Sequence, residues 1–201
     1  MSMNDFTAFY ALATFILISS ITPGPNNLML MASGTNFGMR RTLPHMLGIC
    51  SGVMIMIGLV SLGISRIFEQ YSLSMTILKF FSVAYLLYLA YKIATSKTVG
   101  NADTINAKPF TIIQAMLFQW INPKAWAMCL SIITVYQLPH DLQFKGLYMI
   151  AIFTLINMPS IACWAFMGTR IRRFLNHPVK LKVFNWLCAG LLIATLIPIL
   201  L

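Results

Sequence analysis

Lys124 is the residue whose position asks most of the chain. It stands in Asn122-Pro123-Lys124, well inside an apolar stretch running from about Thr111 to Tyr136. A lysine at the centre of a membrane span costs about 2.5–3.5 kcal/mol on the translocon scale, and such residues usually face a polar cavity on a substrate or proton path. One hundred positions earlier stands Thr22-Pro23-Gly24-Pro25-Asn26-Asn27, again inside an apolar run. Two prolines and a glycine so close together cannot continue a helix: proline lacks the backbone donor and clashes with the preceding turn, and glycine adds freedom. Broken backbone at membrane depth is tolerated only where protein or a water-filled cavity covers it. Matched breaks in corresponding parts of two halves are the sequence mark of a transporter's binding site.

The candidate substrate-binding residues are therefore Thr22, Asn26, Asn27, Asn122, Lys124 and Asn157, the last from a third polar-and-proline kink, Asn157-Met158-Pro159. Pro23, Gly24, Pro25 and Pro123 are the helix-breaking residues that shape the site. The ammonium of Lys124 suits a substrate carboxylate, since no Asp or Glu falls in any predicted span. Half-helix N-termini after Pro23 and Pro123 add positive dipole ends of the same preference. A plainer reading stands beside this one. Each amide, and Thr22, serves equally well to satisfy loose backbone, and Lys124 to cap carbonyls freed by Pro123.

The elements that must hold these residues follow from composition. Of 201 residues, 59% are hydrophobic and 9% charged, against roughly 25% charged in soluble domains. The pattern predicts an all-α integral membrane protein with six transmembrane helices and no separate soluble module. The spans cover about 6–33, 43–65, 74–94, 111–136, 144–168 and 183–201, with breaks in the first and fourth. Pro44 falls in the first turn of span 2, where proline is tolerated. Gly48 and Gly52 in that span form a GxxxG, which lets helices approach closely and permits a homodimer without requiring one. Tyr85, Tyr88 and Tyr91 share one face of span 3 as packing or interface residues. Spans 1–3 and 4–6 make repeat halves of 1–95 and 110–201 around a polar linker, 96–109. Three spans per half is odd, so the repeat is inverted and its site lies between the halves.

The net charge of +10 sits in loops, which argues for orientation rather than nucleic acid. Arg40, Arg41, Lys92, Lys97, Lys108, Arg170, Arg172, Arg173, Lys180 and Lys182 flank the odd-numbered loops, against Arg66, Lys145 and Lys79 opposite. Loops 1–2, 3–4 and 5–6 are thus expected in the cytoplasm. Met1–Asp5 lacks the basic n-region of a cleaved signal. Cys50, Cys129, Cys163 and Cys188 fall in spans as inert packing residues, with no disulfide expected. His45, His140 and His177 form no ligand set, so neither metal nor cofactor is expected. Walker A, GxSxG and HExxH sequences are absent, so transport would run on an ion gradient or on the substrate's own; if protons drive it, Lys124 or His45 carries them or the coupling is indirect. Two rivals remain open: an intramembrane lipid-modifying enzyme, and a non-transporting scaffold or accessory subunit.

Taken together, Pro23-Gly24-Pro25-Asn26-Asn27-Leu28, Gly38, Gly48, Gly52, Asn122-Pro123-Lys124-Ala125, Asn157-Met158-Pro159-Ser160 and Trp164 resemble the LysE/RhtB family of small amino-acid exporters over the whole chain. Tyr91-Lys92-Ile93-Ala94-Thr95-Ser96 and Lys108-Pro109 are similar to the cysteine and O-acetylserine exporter branch. The resemblance implies a multi-pass protein of the bacterial inner membrane. It also implies export of small neutral amino acids or their derivatives by proton antiport. Asn26 stands where many members carry Asp, and Thr42 where glycine is frequent after the basic pair.

Overall fold

The computed structural model describes residues 3–63, 72–95, 108–135, 145–175 and 177–197. These contain eight helices: α1 (Met3–Ile21), α2 (Pro25–Phe37), α3 (Met39–Ser61), α4 (Ser72–Ala94), α5 (Ile112–Ile121), α6 (Pro123–Thr134), α7 (Lys145–Arg172) and α8 (Pro178–Ala194). No strand occurs among the described residues. Helices α3 and α7 are long and apolar enough to cross a membrane, and α1 with α2 forms a third such unit bent by 52°. Most of linker 96–109 and the loops holding Arg66 and Pro139-His140 lie outside the described residues.

Both predicted breaks are present. α1 ends at Ile21 and α2 begins at Pro25, while Asn122 alone separates α5 from α6. Each new half-helix begins with proline at its first position, where the missing N–H is one the helix could not have used. The third polar-and-proline site, expected as a kink and not as a break, stays helical. α7 runs without interruption through Pro159, because one proline removes one hydrogen bond whereas Pro23-Gly24-Pro25 removes two and adds a flexible residue. Pro44 also lies deeper than expected, since α3 starts at Met39 rather than near Leu43. The cause is the connection before it. Residues 34–37 and Arg40-Arg41 are helical, so the turn between α2 and α3 shrinks to Gly38 at φ +79°. That left-handed conformation strongly favours glycine. The backbone N–H and hydroxyl of Thr42 both donate to the Gly38 carbonyl (3.2 and 2.9 Å) and start α3.

Helix packing is close wherever glycines meet backbone. A Cβ on Gly168 of α7 would strike the carbonyl of Met31 in α2, and one on Gly34 of α2 would strike the carbonyl of Ala165 in α7. Small residues of this kind let helices associate in a membrane without a hydrophobic drive. The Thr35 hydroxyl joins the crossing by donating to Gly168 O at 3.0 Å and to Met31 O at 2.9 Å. The Gly48/Gly52 stripe of α3 is covered in the same way, by Ile112, Ala115, Met116 and Gln119 of α5. That GxxxG is used inside the chain rather than held open for a second copy.

Two apolar clusters flank the breaks. One joins Leu12 and Ile16 of α1 to α3, α6 and α7 through Val53, Met56, Cys129, Ile132 and Phe153. The other joins Leu28 and Met31 of α2 to Leu86 and Leu89 of α4, Phe118 of α5, and Cys188 and Leu192 of α8. Outside them, large apolar side chains such as Phe6, Tyr10, Phe80, Leu155 and Trp186 are exposed, a surface suited to lipid. Cys163 is exposed as well, unlike the buried packing role expected of it, because it lies on the outward side of α7. Tyr85 packs against Phe118 at 5.5 Å, while Tyr88 and Tyr91 are exposed.

The glycine crossing yields a test. Gly168→Ala should lower the stability of the detergent-solubilised protein by about 1–3 kcal/mol, the usual cost of overpacking. Gly190→Ala, where nothing lies within 4 Å of the added methyl, should leave the melting temperature unchanged. Equal melting of the two variants would refute the close α2–α7 crossing.

Candidate functional site

A helix broken in an apolar setting leaves carbonyls that need donors, and at both breaks side chains and backbone amides supply them. In the first, the Thr22 N–H donates to Ile18 O (3.0 Å) and its hydroxyl to Ser19 O (3.1 Å). The Asn27 side-chain amide donates to Ser20 O (2.7 Å) and Thr22 O (2.8 Å), and the Trp164 indole N–H donates to Ile21 O (3.0 Å). In the second, the Asn122 N–H donates to Gln119 O (3.2 Å), the Trp126 indole to Trp120 O (2.8 Å), and the Ser82 hydroxyl to Ile121 O.

Lys124 belongs to the second break but serves the first. Its ammonium donates to Thr22 O and Thr22 Oγ1, both at 2.9 Å, with Pro23 O at 3.5 Å. So Lys124 does cap carbonyls, though those at the end of α1 rather than those freed by Pro123. A cation there also meets the negative end of the α1 dipole. The lysine stem explains Gly24. Its φ of −167° is ordinary extended backbone, yet an added Cβ would sit 2.8 Å from Lys124 Cδ.

A second link joins α2 to α5. Asn26 Nδ2 donates to Gln119 Oε1 at 2.8 Å, and Gln119 Nε2 returns a bond to Asn26 Oδ1 at 3.1 Å. Gln119 Nε2 also donates to Ala115 O (2.9 Å), and its Oε1 accepts a longer bond from Asn122 Nδ2 (3.4 Å). Gln119 is fully buried and uses its whole hydrogen-bonding capacity of two donors and two acceptor positions. Gly52 makes room for it, since a Cβ there would fall 2.8 Å from Gln119 Cγ.

Between these links lies a cavity lined by Ser19, Ser20, Gly24, Pro25, Asn26, Asn27, Asn122, Lys124, Ala125, Met128, Asn157 and Ile161. The centre of a water molecule can occupy about 30 Å³ of it, room for one or two waters. Of the candidate residues, Asn26, Asn27, Asn122, Lys124, Asn157, Gly24 and Pro25 reach this lining. Thr22, Pro23 and Pro123 do not; Thr22 and Pro23 are exposed beside Lys124. Asn157 donates to Cys50 Sγ at 3.8 Å, and its Oδ1 accepts nothing from the described protein. Sequence reasoning passed over Ser19, Ser20 and Gln119. The signals were a Ser-Ser pair just ahead of the first break and a glutamine one turn ahead of the second. His45 is not part of the lining. It is buried with neither ring nitrogen hydrogen-bonded, edge-on to Phe110 at 5.1 Å. Among the described residues, no group of three or more His, Cys, Asp or Glu is arranged to hold a metal ion.

Comparison with known proteins finds relatives over most of the chain. The chain is 30% identical over 193 residues to a cysteine/O-acetylserine efflux protein of Klebsiella pneumoniae, covering 93% of this chain and 94% of the relative. It is 29% identical over 178 residues to the protein of that description in Escherichia coli K12, covering 85% and 87%. A Shigella flexneri protein so described is 29% identical over 171 residues, covering 82% and 84%. No solved structure matches. The family profile described as LysE type translocator matches residues 17–196, a span that takes in both breaks and the cavity between them. A translocator family leaves no place for the lipid-modifying enzyme: this chain is an integral membrane transporter and belongs to the LysE family.

Proposed function

We propose that the chain exports small neutral amino acids or their derivatives across the bacterial inner membrane, as a secondary-active carrier with its site at the paired breaks. The carrying observation is that two helix breaks one hundred residues apart meet around a single polar cavity, tied together by Lys124 and by the Asn26–Gln119 pair. Its lining has the functional groups a zwitterion needs: a nearby ammonium, amide side chains and the N-terminus of α2. Lys124 supplies positive charge with no acidic partner among the described residues, and Asn157 Oδ1 is free to accept from an α-ammonium. Thr22 contributes indirectly, by holding Lys124. Cysteine and O-acetylserine, which the relatives' names specify, are the substrates of choice.

The six-span inverted repeat is part of this proposal, and the pairing of helices supports it. Span 1 (α1, α2) packs on span 5 (α7), as span 4 (α5, α6) packs on span 2 (α3). Span 1 also meets span 6 as span 4 meets span 3. Within the broken spans, α1 shares a core with α6, and α2 shares one with α5. That is the order expected of two antiparallel broken helices crossing at their breaks. The exchange is inexact in one respect: the larger contact falls on the second half of span 1 but on the first half of span 4. We place the odd-numbered loops in the cytoplasm from their ten cations. A cavity of water size must widen to admit a substrate, as expected when one repeat rocks against the other. Proton antiport, which the resemblance implies, would run through Lys124 or His45 or be coupled indirectly, since no acidic residue lies within a proposed span.

Two experiments test this reading. Cells loaded in turn with cysteine, O-acetylserine and other amino acids should show efflux with the wild type, sensitive to a protonophore, and none with Lys124→Ala at equal membrane abundance. Efflux retained by Lys124→Ala would remove Lys124 from the mechanism, and no efflux of any amino acid would favour the scaffold. Separately, Asn26→Ala and Gln119→Ala should each cost about 1–3 kcal/mol of stability, because each leaves a buried amide unpaired. The double variant should cost less than the two combined, with a coupling of about 1 kcal/mol. Strict additivity in denaturation of the purified protein would show that the pair does not act as a unit.

A further inference from the structure

The first break is satisfied on one side only. Every carbonyl it frees has a donor, whereas the donors it frees have no acceptor. α2 starts at Pro25 without a side-chain cap, so the N–H groups of Asn26 and Asn27 in its first turn have no acceptor within their own helix. α6 differs, since Asn122 Oδ1 accepts from the Lys124 N–H at 3.2 Å. An independent observation points into the same space. Ser20 is only 5% exposed, lines the cavity, and its hydroxyl has no hydrogen-bond partner. Several serine and threonine hydroxyls elsewhere in the bundle turn back to a carbonyl four residues earlier, as Ser51, Thr134, Thr154 and Ser160 do. Ser20 does not, although a buried hydroxyl left unpaired is costly.

Lys124 is a weaker candidate for direct contact than its charge suggests, because its ammonium already points at Thr22 O, Thr22 Oγ1 and Pro23 O. We infer that the substrate's α-carboxylate is received by the N-terminus of α2 and the Ser20 hydroxyl, with Lys124 adding charge from its bonded position beside them. Ser20 is then a substrate-binding residue. The donors are the N–H groups of Asn26 and Asn27 and the O–H of Ser20, and the acceptors are the two carboxylate oxygens. A dipole end and a hydroxyl in a low-dielectric site suit an anion and offer nothing comparable to a neutral carboxamide. This inference rests on the transport reading above and specifies one end of its site.

The test uses the full-length protein reconstituted in liposomes with radiolabelled cysteine inside, measuring exchange against external cysteine or cysteinamide. The wild type should prefer the acid. Ser20→Ala should weaken cysteine about tenfold, the loss expected when one hydrogen bond to a charged group is removed, and should narrow the acid-over-amide preference by a like factor. Ser20→Thr, which keeps the hydroxyl, should retain much of that preference. Without substrate, Ser20→Ala should melt no lower than the wild type, because the hydroxyl it deletes holds nothing in the fold. An unchanged acid-over-amide preference in Ser20→Ala would overturn the subsite while leaving transport intact. Misfolding or early melting of Ser20→Ala would overturn it too, by showing a structural partner for the hydroxyl. No exchange of any amino acid by the wild type would remove the transport reading and the subsite together.

Discussion

A peptide carbonyl in an apolar medium must find a donor, and at a helix break the next turn no longer supplies one. Much of this fold can be read as the answer to that demand. Side chains from α2, α6 and α7 converge on the end of α1, and side chains from α4 and α6 converge on the end of α5. The breaks are thereby pinned to helices distant in sequence, and they are drawn towards each other. A polar cavity between them is the geometric remainder. Asn27 and Lys124 line this cavity with the same side chains that satisfy the backbone.

The close crossings are what permit this convergence. Side-chain caps reach only a few ångströms, so α7 must lie close for Trp164 to reach Ile21 O, and α3 must leave room beside α5 for the buried Gln119. Glycine at Gly34, Gly168, Gly48 and Gly52 removes the Cβ atoms that would hold those axes apart. The apolar clusters then fill the space on either side of the breaks.

Much of this was legible in the sequence because the strongest signals were chemical rather than periodic. Pro23-Gly24-Pro25 and Asn122-Pro123 stop helices by covalent geometry, and the breaks occur there. Lys124 was conspicuous by its cost in a span. What could not be read was partnership. Nothing local says that Lys124 would cap the other half's carbonyls, or that Gln119 would pair with Asn26 ninety-three residues away, because such pairings depend on how helices cross. The reach of α3 back to Met39 was hidden for a related reason. Arg40 and Arg41 look like loop residues by charge, yet Gly38 turns the chain in one step and leaves them helical. Asn157-Met158-Pro159 leaves the helix continuous because one proline in a long helix removes a single bond, which the surrounding turns absorb.

The covering of Gly48 and Gly52 by α5 bears on how the pieces of this protein behave when taken apart. A synthetic peptide spanning α3 would carry its small-residue stripe bare in detergent or lipid. It would pair with itself through the surface that in the intact chain receives Ile112, Ala115 and Met116. Self-association of that fragment would thus measure the missing α5, and would carry no information about quaternary structure. A mixture with a peptide covering 112–121 should dissolve such pairs in favour of a heterodimer, rebuilding one corner of the parent bundle from two fragments.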